Sequence, residues 1–105
     1  MKLLIVDDQR SVVQGLANCT DWGAVGFDCV ATAYNAIDAR ASLLEREAEV
    51  MLCDIEMPVE SGLDLLKWMR DREMRTRCIF LTAYAKFQYA QSFWPFPPRR
   101  QWCPR

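Results

Sequence analysis

The chain has 105 residues, 51% of them hydrophobic and 26% charged, with 13 Lys and Arg against 14 Asp and Glu. That length suits one domain with a real core, and a net charge of -1 gives no support to a general nucleic-acid or membrane-surface binder. There is no histidine, which excludes His-based acid–base catalysis, the Ser-His and Cys-His nucleophiles and most zinc chemistry.

The opening MKLLIVDD has too short an apolar run for a signal-peptide core, and no run approaches a membrane span. Leu3–Val6 reads as a buried parallel strand. Ser11 is expected to cap a helix through about Asn18, with Val12, Val13, Leu16 and Ala17 on one face. Cys29–Ala33 offers a less continuous strand candidate. From Asn35 on, Ile37, Ala41, Leu44 and Ala48 form a stripe at helical spacing. Val50–Cys53 is the next strand. After Pro58 and Gly62, the residues Leu63, Leu65, Leu66 and Met69 form another helical apolar face. Cys78–Leu81 is a further strand, and a short helix is expected from near Ala85 towards Gln91. The cysteines (Cys19, Cys29, Cys53, Cys78, Cys103) lack metal-type spacing. Cys53 and Cys78 read as small buried hydrophobes, and the pattern suits a reducing cytoplasm.

All fourteen acids lie in residues 1–91. From Ser92 on, SFWPFPPRRQWCPR carries three arginines, four of the five prolines and two of the four tryptophans. Residues 1–91 are therefore expected to form the domain, with 92–105 a Pro/Trp/Arg-rich tail of different character. Proline at 95, 97, 98 and 104 opposes both a central strand and a helix there. Trp94–Arg99 also permits a polyproline II peptide.

Strands alternating with helices imply right-handed βαβ units and a doubly wound parallel sheet. In such a sheet all strands end along one edge, where ligands bind at the point of strand-order reversal. Three apolar runs end in oxygen-bearing side chains: Val6 leads into Asp7 and Asp8, Cys53 into Asp54, and Leu81 into Thr82. Clustered carboxylates repel unless a cation neutralises them, and hard oxygen donors suit Mg²⁺. A carboxylate beside that ion can attack a phosphoryl group, and the transition state needs positioning and charge neutralisation more than a histidine. Helix N-capping is the plain alternative for each residue taken singly.

LLIVDDQ, then LCDIEMPVESGLDLL, then IFLTAY, in this order and spacing, resemble the receiver domain of two-component response regulators. DWGAVGF and YAKFQYAQ resemble most the receivers attached to AraC-type DNA-binding domains. The resemblance implies a flavodoxin-like fold with strand order 2-1-3-4 over residues 1–91. It implies Asp54 as phosphoacceptor and Thr82 as the switch hydroxyl. Asp8 would be the principal Mg²⁺ carboxylate, with Asp7, Asp54 and the Glu56 backbone carbonyl completing the metal pocket. Glu56 and Tyr84 stand at the two positions that tune dephosphorylation in the family, though solvated loop side chains are their plain reading. Gly62 fits the loop after the acceptor strand, as a residue that permits a turn closed to others. The implied phosphodonor is a phosphohistidine on a sensor histidine kinase, and the implied role in full-length relatives is transcription regulation.

The pattern also departs from the family. A receiver continues into a fifth strand and fifth helix, and that strand ends in a lysine contacting the phosphoryl group. The lysines here are Lys2, Lys67 and Lys86, none at that spacing. The expectation is a receiver cut short, with fifth strand and helix missing or replaced, impaired in switching and without a DNA-binding domain in this sequence. The fourth strand would then be an exposed edge inviting self-association. Two competing readings are an interaction module indifferent to phosphorylation and a metal-dependent phosphohydrolase. Asp54-Ile55-Glu56 lacks the Asp-x-Asp arrangement common in the latter.

Overall fold

The structure, a computed structural model, describes residues 1–81. Thr82, Tyr84, the helix expected near Ala85, Lys86 and the whole 92–105 segment lie outside the described residues. The elements run β1 (Lys2–Val6), α1 (Arg10–Asn18), α2 (Trp22–Val25), β2 (Cys29–Ala33), α3 (Ala36–Glu45), β3 (Val50–Asp54), α4 (Gly62–Asp71) and β4 (Arg77–Leu81). Four parallel strands form one sheet in the order β2-β1-β3-β4. This is the doubly wound, flavodoxin-like arrangement that the sequence implied, and Cys29–Ala33 is a full member of it.

Side chains of a strand alternate between faces, and the core divides accordingly. Leu4, Val6, Met51 and Cys53 pack under α3 and α4, against Ala39, Leu43, Leu65 and Met69. Leu3, Ile5 and Leu52 face the other way, against Val13 and Leu16 of α1 and Trp22 of α2. Trp22 is fixed by its indole N–H, which donates to the Leu16 carbonyl, and by an edge contact with Phe27.

Several local expectations are corrected. Ser11 does not cap α1: the cap position is Gln9, without a side-chain bond, and Ser11 lies exposed in the first turn. The stripe Ile37, Ala41, Leu44 is not the buried face of α3. Ile37 is 65% and Leu44 56% exposed, while Ala36, Ala39 and Leu43 are buried. Two apolar stripes run along this helix one position apart, and the one with small alanines lets the backbone approach the sheet. Asn35 sets the helix start by accepting the Asp38 N–H. On α4, Leu65 and Met69 are buried as expected, but Leu63 points outward at 55% exposure. A Ser61–Asp64 capping box fixes that helix start. Cys53 is buried, whereas Cys78 is only partly so.

Candidate functional site

The strand order reverses between β1 and β3, which are hydrogen-bonded neighbours in the register Val6 to Cys53. The next residues, Asp7 and Asp54, are thus brought level at the carboxyl edge. Carboxylate oxygens of Asp7, Asp8 and Asp54 all lie within 4.8 Å of one another. Asp7 and Asp54 are 0% and 3% exposed, and Asp8 is exposed at the mouth. The convergence expected from strand ends 47 residues apart in sequence is therefore present in the fold.

Backbone amides orient these acids. The Gln9 N–H donates to Asp7 Oδ1 at 2.9 Å, and the Glu56 N–H donates to Asp54 Oδ1 at 3.3 Å. The Asp7 N–H in turn donates to the Ala33 carbonyl of β2. Glu56 is exposed in the loop after β3, with its backbone beside Asp54. Asp54 pairs in register with Leu81, so the chain leaves β4 next to Asp54. Thr82 and Tyr84 themselves are outside the described residues.

The loop from Asp54 to α4 is tightly held. Val59 has φ 71, and the Glu60 N–H donates to the Pro58 carbonyl at 2.8 Å, which closes a γ-turn on a β-branched residue. Such a conformation is strained by about 1–3 kcal/mol and persists only where surroundings impose it. Arg40 of α3 ties down the residue after Val59: its guanidinium donates two bonds to the Glu60 carboxylate, one of them 2.6 Å. Arg40 holds Glu60 below the usual carboxylate range through that hydrogen bond. Met57 is buried beneath the loop.

Gly62 is needed here for a different reason from the one expected. Among the described residues the only glycine with positive φ is Gly26. At Gly62 the Cβ of any other residue would collide with the Asp54 carbonyl oxygen and lie 3.1 Å from both Ile55 Cα and the Phe80 ring. Sequence reasoning did not find the Arg40–Glu60 clamp, because twenty residues separate the partners and nothing in the spacing links them.

Among the described residues the lysines are Lys2 and Lys67. The Lys2 ammonium is buried and donates to the Ser42 and Arg46 carbonyls at 2.6 and 2.8 Å. It closes the end of α3 at the opposite edge of the sheet from the acids. Lys67 is exposed on α4.

The donor set fits a hard divalent cation. Three carboxylates converge, two of them almost without solvent, and clustered like charges favour a bound cation.

Comparison with known proteins agrees with the fold. The family described as "Response regulator receiver domain" matches residues 3–94. The chain is 27% identical over 90 residues to the uncharacterized transcriptional regulatory protein YesN of Bacillus subtilis, covering 86% of this chain and 24% of YesN. It is 30% identical over 91 residues to the transcriptional regulatory protein HptR of Staphylococcus aureus, covering 87% and 35%. The chain thus spans about a quarter to a third of these curated relatives. Among solved structures, the receiver domain of AraT, a response regulator from Geobacillus stearothermophilus, superimposes with TM-score 0.75 at 29% identity, covering 94% of this chain and 84% of that one. A two-component transcriptional regulator, AraC, from Clostridium phytofermentans gives TM-score 0.67 at 25% identity, covering 83% and 72%. No helix among the described residues is long and apolar enough to cross a membrane. With its doubly wound sheet and carboxyl-edge acids, the chain belongs to the response regulator receiver domain family of two-component systems.

Proposed function

We propose that this chain, in the cytoplasm, accepts a phosphoryl group on Asp54 from the phosphohistidine of a sensor histidine kinase. The observation that carries the reading is the convergence of Asp7, Asp8 and Asp54 oxygens within 4.8 Å at the point of strand-order reversal. Asp7, Asp8, Asp54 and the Glu56 carbonyl would hold Mg²⁺. When bound, that ion would neutralise charge on the phosphoryl oxygens and the pocket.

The chain's own groups do the rest. A carboxylate oxygen of Asp54 attacks the phosphorus; the new P–O bond forms as the donor's N–P bond breaks, and the ring nitrogen keeps the electron pair. The N–H groups of Gln9 and Glu56 orient Asp7 and Asp54, and the γ-turn loop fixes the approach. Thr82 is assigned the hydroxyl that bonds a phosphoryl oxygen afterwards, and Glu56 and Tyr84 the tuning of hydrolysis. In this reading the protein is a phosphoacceptor rather than a turnover enzyme, and its output in longer relatives is transcription regulation.

Incubation with acetyl phosphate and Mg²⁺, followed by intact mass, tests the proposal. One phosphoryl adduct is expected in the wild type and none in Asp54→Asn; equal labelling of the two would refute it. A second reading, a module that self-associates regardless of phosphate, draws on β4. It is an outer strand of the described sheet, and its Ile79 is 42% exposed. Assembly at micromolar concentration that is unchanged in Asp54→Asn favours that reading.

A further inference from the structure

One face of the sheet is unevenly covered. α1 packs against β1 and β2, and toward β3 and β4 an apolar groove of about 210 Å³ opens, lined by Leu3, Trp22, Phe27, Val50, Leu52 and Ile79. Parallel sheets are stable when both faces are covered, and among the described residues nothing covers this groove, which has Ile79 at its lip.

We propose that the groove is a docking site for the chain's own aromatic–proline segment, Phe93–Trp102. Composition is the first argument. Within ten residues the segment offers Phe93, Trp94, Phe96 and Trp102, side chains that bury large apolar area. Pro95, Pro97 and Pro98 lack backbone N–H groups, so such a sequence brings few unsatisfied donors to an apolar surface. Phe93 and Phe96 stand three residues apart in the sequence, which is the repeat of the extended form that proline-rich sequences favour.

Reach is the second argument. β4 ends at Leu81, and residues 82–92 precede Phe93. At roughly 3.3 Å per residue these could extend well beyond the ~17 Å length of a five-residue strand, so the chain can double back over the sheet. Charge is the third. The segment carries Arg99 and Arg100 and no acid, while Asp21 and Glu49 stand exposed beside the lining residues Trp22 and Val50.

Photo-crosslinking of the full chain tests this, with p-benzoylphenylalanine introduced at position 94 in one variant and at 96 in another. Irradiation at low micromolar concentration should give adducts of monomer mass that join the tail to peptides carrying Trp22–Phe27 or Ile79. Ile79→Lys, at a half-exposed position, should reduce those adducts several-fold. Adducts found chiefly between two chains would overturn docking in cis. Monomer adducts that avoid the groove peptides, or that persist unchanged in Ile79→Lys, would overturn it equally.

Discussion

The backbone of Gly62 lies against that of Asp54, with no room between them for a side-chain carbon. The Gly62 N–H also donates to the Ile55 carbonyl at 2.7 Å, so the start of α4 is clamped to the end of β3. Gly62→Ala must push apart two backbone segments rather than one flexible side chain. The expected cost is about 1–3 kcal/mol by urea denaturation, together with slower phosphoryl uptake at Asp54. Gly15 is the control: nothing surrounds its added carbon, and in a helix interior Gly15→Ala should stabilise by about 0.5–1 kcal/mol. Equal effects at the two positions would remove the clamp argument.

The contrast between these two glycines marks what a sequence can carry. Strands announce themselves because a doubly covered sheet demands continuous apolar runs, and Val50–Asp54 matches its run to within a residue. The acids were legible for the same reason, since parallel strands bring their carboxyl ends to one edge. The α3 face differs from the expected one because large Ile37 and Leu44 dominate a hydrophobic pattern, while the packing is done by Ala36, Ala39 and Leu43. Contacts such as Arg40 with Glu60, or Gly62 with Asp54, depend on how two loops pass in space. No local pattern encodes them.

Asp28 accepts a bond from the N-terminal ammonium at 2.8 Å and another from Arg46 at 3.2 Å. The hydrogen bond to the ammonium, then that to Arg46, lowers its pKa from 3.8 to about 2. A depressed carboxylate pKa adds stability that is present in full above the unfolded value and is lost as pH falls through the folded one. Asp28→Asn should therefore lower the urea midpoint near neutrality, and the difference from wild type should fade between pH 3.8 and about 2. Because Asp28 is exposed, high salt should shrink the difference as well. A gap that survives at the acid limit would assign the effect to packing.

Arg40 ties α3 to the γ-turn loop through Glu60 and also lies over the Trp68 ring at 5.7 Å. Removing it frees the strained turn at Val59 to relax. Arg40→Ala should slow phosphoryl uptake several-fold and raise amide exchange in 59–62, with little change in the fold's far-UV signature. Arg40→Lys should restore only part, because one ammonium cannot reproduce the two-pronged bond. Glu60→Gln should resemble Arg40→Ala at neutral pH. In acid, protonation of Glu60 in the wild type should erase the difference, at a pH below the ordinary glutamate range. Unaltered uptake in Arg40→Ala would separate the loop's strain from the chemistry.

The acid cluster should couple metal binding to stability in a way that one substitution can invert. Without a divalent ion, the three carboxylates within 4.8 Å repel one another in a site where Asp7 and Asp54 see little solvent. Asp54→Asn removes one charge and keeps the shape, so in chelator the variant should be more stable than wild type, by on the order of 1 kcal/mol. Millimolar Mg²⁺ should raise the wild-type melting temperature and leave Asp54→Asn and Asp8→Asn nearly unmoved, since binding to the native state alone adds stability by mass action. The order of stabilities should then reverse, with the wild type above Asp54→Asn. Calcium, which prefers more ligands at longer distances, should produce a smaller shift at equal concentration. If Mg²⁺ stabilised all three proteins alike, the ion would be acting elsewhere on the surface and the cluster would not be its site.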